Sequence, residues 1–192
     1  ASKYDDKISF PKVRSEHVKN GYGFMELGYH GMAAYEFNCA LAGGGEAAAD
    51  AAGVGLARLL RSEGDVMGSV KQVENRAYAS PRFLYLAFRI RSYRDLIFPV
   101  VYGDILTKAS GRNGFPAALA FAIVRQESRF EADATSRSNA KGLMQIIPST
   151  GAWIAGKKGV SAFDAMSLYE PELNVSFGTW YARYLLDKFS GD

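Results

Sequence analysis

The 192-residue chain is 48% apolar and 22% charged, the proportions of a folded globular protein, which excludes an intrinsically disordered one. Its 23 basic against 20 acidic residues, a formal charge of +3, are no nucleic-acid footprint; they suit a mildly basic protein that meets a polyanion such as an anionic cell wall. One cysteine, Cys39, excludes an internal disulfide, and two histidines, His17 and His30, cannot build a His/Cys metal site, so no structural metal and no cofactor are expected.

The opening segment ASKYDDKISF has neither the apolar core nor the cleavage pattern of a signal peptide, and no apolar run approaches the length needed to cross a bilayer. The expectation is a chain without a transmembrane segment whose targeting signal is absent. Pro11, Pro81, Pro99, Pro116, Pro148 and Pro171 fall at breaks between periodic segments. Between them Ala, Leu, Arg, Glu and Met dominate, without the Val/Ile/Thr alternation of strands, so the expected fold class is all-α. Residues 1–93 read as a ladder of short helices: Pro11 to Leu27, Gly31 to Leu41, Glu46 to Ser62, Asp65 to Ala77 and Pro81 to Arg89. Gly28, Gly43-Gly44-Gly45, Gly64 and Ser80 separate them. Each carries one apolar stripe, and paired helices bury such stripes by stacking on the next pair, which predicts a helical-hairpin, superhelical array. Leu27-Gly28 followed by Ala33-Ala34-Tyr35 resembles one imperfect copy of a tetratricopeptide repeat, too little for a true repeat. The triple glycine lacks the Lys-Ser/Thr pair and preceding strand of a phosphate-binding loop and reads as a turn.

The pattern resets between Tyr93 and Pro99, which sets a second domain at 94–192. It is expected to hold a helix from Phe98 to Ser110, another from Pro116 to Ser128, a middle containing glycine and serine, and an amphipathic helix from about Pro171 to Phe189. Pro116 suits a first helical position because its missing N–H would have been unpaired there anyway. Within that second helix Leu119, Ile123 and Glu127 recur every four residues and share one face. A carboxylate that closes an apolar stripe is expected to be desolvated, and the negative end of the helix dipole opposes its charge too. Both favour the proton-bearing form that a general acid requires. The competing reading is a solvated glutamate at a helix end.

Glu127-Ser128, Ser136, Gly142-Leu143-Met144-Gln145, and Glu170-Pro171-Glu172-Leu173-Asn174 leading to Gly178 together resemble the catalytic domain of the soluble-type lytic transglycosylases. That family has a lysozyme-like fold shared with goose-type lysozyme. The resemblance runs from about Phe98 to Asp192, and the ladder before it is similar to the superhelix that precedes this domain in the large soluble members. It implies an enzyme that cleaves the β-1,4 MurNAc-GlcNAc bond of peptidoglycan and leaves a 1,6-anhydro-muramoyl product. It further implies that Glu127 is the single catalytic carboxylate, which protonates the glycosidic oxygen and then takes the proton of the sugar's own 6-hydroxyl. Glycosidases ordinarily need two carboxylates; here the intramolecular hydroxyl does the second job. Glu131 and Asp133 sit in a loop where acidic residues face solvent and are left out.

By the same resemblance Ser136 contacts the sugar near the cleavage point, against the alternative of a turn serine. Gln145 lines the cleft, where its amide can meet an N-acetyl group, or else caps the adjoining loop. Met144 is packing or a contact for a sugar face, and Ser128 supports the substrate side by capping the helix end. Asn174 is expected to tie loops together. Trp153, Trp180, Tyr181 and Tyr184 offer stacking faces, but aromatics at helical spacing belong to cores, and Trp180 and Tyr184 are assigned there.

Two departures stand out. The loop reads Phe130-Glu131-Ala132-Asp133-Ala134-Thr135-Ser136 instead of the family's Phe-Asn-Pro-x-Ala-x-Ser, and the chain stops at Asp192, before an Ala-Tyr-Asn-Ala-Gly segment. The expectation is a domain lacking its C-terminal part and poorly active alone, with a second chain as one way to complete it. The expected partners are peptidoglycan glycan strands, with other cell-envelope proteins, in the bacterial periplasm or cell envelope, and no nucleic acid. The rival readings are a goose-type lysozyme-like hydrolase and a non-catalytic glycan-binding scaffold.

Overall fold

A computed structural model describes residues 13–189. Among them are ten α-helices and one 3-10 turn, with two isolated β-bridges and no strand. The protein is all-α, and no helix among the described residues is long and apolar enough to cross a membrane. It divides into two compact units between Pro99 and Val100.

The first unit contains α1 (Glu16–Glu26), α2 (His30–Gly43), α3 (Gly45–Ser62), α4 (Val66–Ala79), α5 (Pro81–Arg89) and α6 (Arg91–Ile97). The expected start at Pro11 lies outside the described residues. Short polar side chains set the entries by accepting orphan N–H groups. Ser15 Oγ accepts from Val18 N at 3.3 Å, Asp65 Oδ1 from Gly68 N at 2.7 Å and Ser80 Oγ from Phe83 N at 3.0 Å. Each helix packs on its successor in chain order, as an array of hairpins requires. The alanine-rich α3 is the shared wall: Ala48, Ala51, Ala52 and Leu59 pack with Phe37 and Val18, while Val54 and Ala57 pack with Val73 and Phe83. Gly21 is small because a Cβ there would lie 2.5 Å from the Phe37 ring. A charged pair is enclosed as well, with Arg76 Nε donating to Asp50 Oδ1 at 2.6 Å.

Helix α6 occupies the stretch where the sequence pattern resets. Ile90 is extended (φ −100°, ψ 117°) and ends α5. The chain then turns back, so that Tyr93, Leu96 and Ile97 bury against Val54 and Phe83, with the Phe83 and Tyr93 rings stacked at 5.7 Å.

The second unit contains α7 (Gly103–Asn113), α8 (Ala117–Glu127), α9 (Pro148–Lys158), a 3-10 turn (Ala165–Tyr169) and α10 (Pro171–Lys188). Helix α7 starts later than expected because Tyr102 takes a left-handed conformation (φ 57°) in front of it. α10 packs on α7, on α9 and on the 3-10 turn. Asn113 Nδ2 joins α7 to α10, donating to Ser176 O at 3.1 Å and Thr179 Oγ1 at 2.8 Å. Helix α9 lay unseen in the glycine- and serine-containing middle. Gly151 weakens its helical signal but is required by packing, since a Cβ there would sit 2.7 Å from the Phe163 ring. The aromatic assignment needs correction: Trp153, Trp180, Tyr181 and Tyr184 form one cluster between α9 and α10, with Trp180 and Tyr184 stacked at 5.8 Å. Tyr184 remains 36% exposed and Trp153 39%, so Tyr184 is no core residue. Mutual ring contact, rather than burial, explains its helical spacing.

Candidate functional site

Helix α8 buries Ala120 and Val124. The adjoining face, with Leu119, Ile123 and Glu127, meets Leu185 and Leu186 of α10 and Phe189 just beyond it across a groove of about 600 Å³. The apolar stripe therefore exists, but it lines a groove instead of entering the core. Leu119 is 49% exposed and Glu127 is exposed. This corrects the expected desolvation of Glu127, because the described residues flank the carboxylate without enclosing it. Of the five expected site residues, Glu127 alone lines this groove.

The chain leaves Glu127 through a strained corner. Ser128 is buried; its Oγ donates to Val124 O at 3.1 Å and its carbonyl accepts from Glu131 N at 3.1 Å. Both bonds close the helix end, so the Ser128 hydroxyl serves the backbone. Arg129 (φ 50°) and Phe130 (φ 67°) follow in the left-handed region, which costs about 1–2 kcal/mol per non-glycine residue. The buried Phe130 side chain and the Arg129 N–H on Arg125 O at 3.2 Å hold them there. Strain of this kind collects where a side chain must be aimed, and it begins two residues after the glutamate.

Ser136, Met144 and Gln145 belong to a second structure, the irregular hairpin made by the bridges Thr135↔Lys141 and Lys141↔Ile146. Ser136 is exposed beside the Thr135↔Lys141 bridge; its N–H donates to Ala140 O at 2.9 Å and its Oγ accepts from Ala140 N at 3.1 Å. Gln145 has a left-handed backbone (φ 48°), and its Nε2 donates to Gly142 O at 2.9 Å and Ala134 O at 3.1 Å. Two carbonyl partners identify that end of the amide as the nitrogen. Gln145 thus caps the loop with its nitrogen and keeps Oε1 as its acceptor for another donor. Met144 is buried, and a Cβ on Gly178 of α10 would lie 2.9 Å from Met144 Cβ.

Asn174 at the start of α10 fastens the hairpin. Its Nδ2 donates to Leu168 O at 2.7 Å and Lys141 O at 2.9 Å, and its Oδ1 accepts from Met144 N at 2.8 Å. Gly142 (φ 74°) passes so close that a Cβ would lie 2.9 Å from Asn174 Cγ and nearer still to Leu168 O. Three residues that sequence reasoning missed complete this region. Lys141 Nζ donates to Tyr169 Oη at 2.7 Å, and Thr135 Oγ1 lies 2.6 Å from the same oxygen. The Lys141 hydrogen bond, then that of Thr135, pulls the Tyr169 phenol below its ordinary pKa. Nothing in the spacing of these three signals their meeting, which depends on the 3-10 turn. Tyr102 is a further case: burial, then the Glu131 and Asp133 carboxylates, pushes its phenol up.

The sequence of this unit matches a known family model, that of the transglycosylase SLT domain, over residues 104–192. The match lies in the second unit and covers a little under half of the chain. Among curated proteins, the soluble lytic murein transglycosylase of Escherichia coli K12 is 31% identical over 108 residues, which are 56% of this chain and 17% of that protein. The membrane-bound lytic murein transglycosylase C of Edwardsiella ictaluri is 38% identical over 92 residues, 47% of this chain and 26% of the relative. The chain thus spans about a quarter or less of the length of these relatives. Two solved structures resemble the chain at 22% identity. The lytic transglycosylase Slt of Pseudomonas aeruginosa, an inactive mutant, covers 93% of it with a TM-score of 0.62 over 26% of its own length. The 70 kDa soluble lytic transglycosylase of E. coli covers 94% with a TM-score of 0.59 over 28% of its own length. That likeness is one of fold, all-α and lysozyme-like.

Proposed function

We propose that the protein is a peptidoglycan lytic transglycosylase that cleaves the β-1,4 MurNAc-GlcNAc bond with Glu127 as its acid and then its base. The observation that carries this is the placement of Glu127, the one carboxylate among the described residues lining the α8–α10 groove, inside an SLT domain. A glycosidase of the ordinary kind needs a partner carboxylate at a defined separation. With one carboxylate, the second role falls to the substrate: Glu127 protonates the leaving oxygen, the sugar's 6-hydroxyl closes on C1, and the hydroxyl proton returns to the carboxylate, leaving a 1,6-anhydro-muramoyl end. Ser136 and the Oε1 of Gln145 are the groups we assign to the sugar, with Met144 and Ser128 supporting the loop and the helix end behind them. Residues 94–192 are the catalytic domain in this reading, peptidoglycan strands the substrate and the bacterial envelope the place of action.

The test is mass spectrometry of digested peptidoglycan with the wild-type chain and with Glu127→Gln. Anhydro muropeptides, lighter by one water than hydrolytic ones, are expected from the wild type and not from the variant. Hydrolytic products would transfer the assignment to a goose-type lysozyme-like hydrolase, and equal release by both proteins would remove Glu127 from the chemistry.

A further inference from the structure

The Tyr169 phenol stands at the end of the 3-10 turn and meets two residues that are themselves paired. Thr135 and Lys141 form an isolated bridge and are the two feet of the loop that opens with Ser136. Within the loop, Ser136 N donates to Ala140 O at 2.9 Å, Ala140 N donates to Ser136 Oγ at 3.1 Å, Asn139 N donates to Ser136 O at 2.9 Å, and Asn139 is left-handed (φ 62°). Below them the turn is firmly held, because Leu168, the neighbour of Tyr169, gives its carbonyl to Asn174. One oxygen atom therefore joins both feet of the loop to a fixed element, with Lys141 Nζ at 2.7 Å and Thr135 Oγ1 at 2.6 Å. The Lys141 ammonium also lies 4.7 Å from the Tyr169 ring centroid, so charge and ring reinforce the contact.

We propose that Tyr169 is a positioning residue of this site: acting through Thr135 and Lys141, it fixes the loop that presents Ser136 to the glycan. The proposal rests on the reading of Ser136 as a sugar contact. Both protonation states of the phenol serve, since a phenol or a phenolate oxygen accepts from Lys141 while Thr135 Oγ1 reverses its role as acceptor or donor. Lys141 and then Thr135 pull the phenol below its ordinary pKa, against burial and Asp133, whereas Tyr22 and Tyr93 are pushed up by burial.

The test compares wild type, Tyr169→Phe, Ser136→Ala and the double variant on soluble glycan chains. Loss of a positioned sugar contact, felt equally in ground and transition states, raises KM and spares kcat. Tyr169→Phe is expected to raise KM about fivefold, the scale of one hydrogen bond, with kcat within about twofold. In the Ser136→Ala background the same change should add nothing, because a residue that acts through Ser136 cannot act without it. Thr135→Val should reproduce the effect and Thr135→Ser rescue it. An unchanged KM, or a full further loss in the double variant, would overturn the proposal. A Glu127→Gln control separates this failure from that of the proposed function. Should neither the wild type nor the control cleave, hydrogen exchange decides instead: Tyr169→Phe must accelerate the Ser136 amide about fivefold and spare α8, and equal exchange in both proteins would refute the positioning role. The ultraviolet titration of tyrosinate probes the same contact by another route, because Tyr169→Phe should delete an early step that Lys141→Met moves to higher pH.

Discussion

Asn174→Asp changes one nitrogen into an oxygen in a fully buried side chain, and the structure lets its cost be worked out bond by bond. The new carboxyl still accepts from Met144 N, at 2.8 Å in the wild type, but the two donations to Leu168 O and Lys141 O are lost. Lys141 O keeps a second donor, Ile146 N at 3.0 Å, so its share is small, about 1 kcal/mol. Leu168 O loses the bond at 2.7 Å, and a buried acceptor left unpaired costs about 1–3 kcal/mol, with a carboxylate oxygen now facing it. The expected destabilisation is about 3 kcal/mol, a large share of the roughly 5–15 kcal/mol that holds a domain folded. Both tryptophans, Trp153 and Trp180, lie in the second unit, so fluorescence in urea reports that unit alone. With a slope of about 1–1.5 kcal/mol per molar for a unit of this size, the midpoint should fall by about 2–3 M. The gap from wild type should narrow as pH falls, since a protonated carboxyl recovers one donor. A midpoint within about 0.5 M of wild type at neutral pH would mean that the amide is not what fastens the hairpin.

Gly142→Ala should destabilise the second unit by more than about 2 kcal/mol, since the residue has φ 74° and a Cβ would collide with Leu168 O and Asn174. Gly111→Ala, in α7 with nothing within 4 Å of the added carbon, should stabilise it by about 0.5–1 kcal/mol, and thermal melts of the two variants read the contrast. Arg76→Ala strands the buried Asp50 carboxylate and should cost the first unit about 3 kcal/mol, measured by circular dichroism in urea. Burial pushes the Tyr93 phenol from its ordinary 10 to about 12, and Tyr22 rises too. The folded state thus holds these protons more tightly than the unfolded one, and the stability this confers is complete below pH 10 and lost as pH climbs toward 12. Urea midpoints across that range should fall less steeply in Tyr93→Phe, and parallel curves would refute the assignment.

Local signals made the helices legible. Asp65 and Ser80 cap where the sequence breaks, Pro81 and Pro171 stand at first helical positions, and Ser15, which the expected start at Pro11 passed over, caps α1. What escaped was set by tertiary contact. Helix α6 is seven residues long and exists because Tyr93, Leu96 and Ile97 find Phe83 and Val54. In α9 the glycine that obscures the helix is the one that admits Phe163. The hairpin of Ser136, Met144 and Gln145 was legible as a motif but not as a structure. Its framework is three hydrogen bonds from Asn174, about 30 residues away, and Tyr169 joins it only because the 3-10 turn delivers a phenol to Thr135 and Lys141.

Glu127 shows what periodicity can and cannot state. Spacing by four says that Leu119, Ile123 and Glu127 share a face, and they do; it carries no information on whether that face meets a core or a groove. The structure decides for the groove, and the chemistry changes with it. A carboxylate sealed in a core would be a stored proton with no route to a substrate, whereas one at the rim of an apolar groove is reachable, and in the proposed reaction a glycan lying in that groove would desolvate it. Desolvation would then come with the substrate and favour the protonated acid at the moment when a proton must be given. The left-handed pair Arg129 and Phe130 turns the chain from the end of α8 toward the hairpin. Glu127 and Ser136 are thereby mounted on separate supports, one on a helix end and the other on a loop tied by Asn174 and Tyr169, so each can be perturbed without unseating the other.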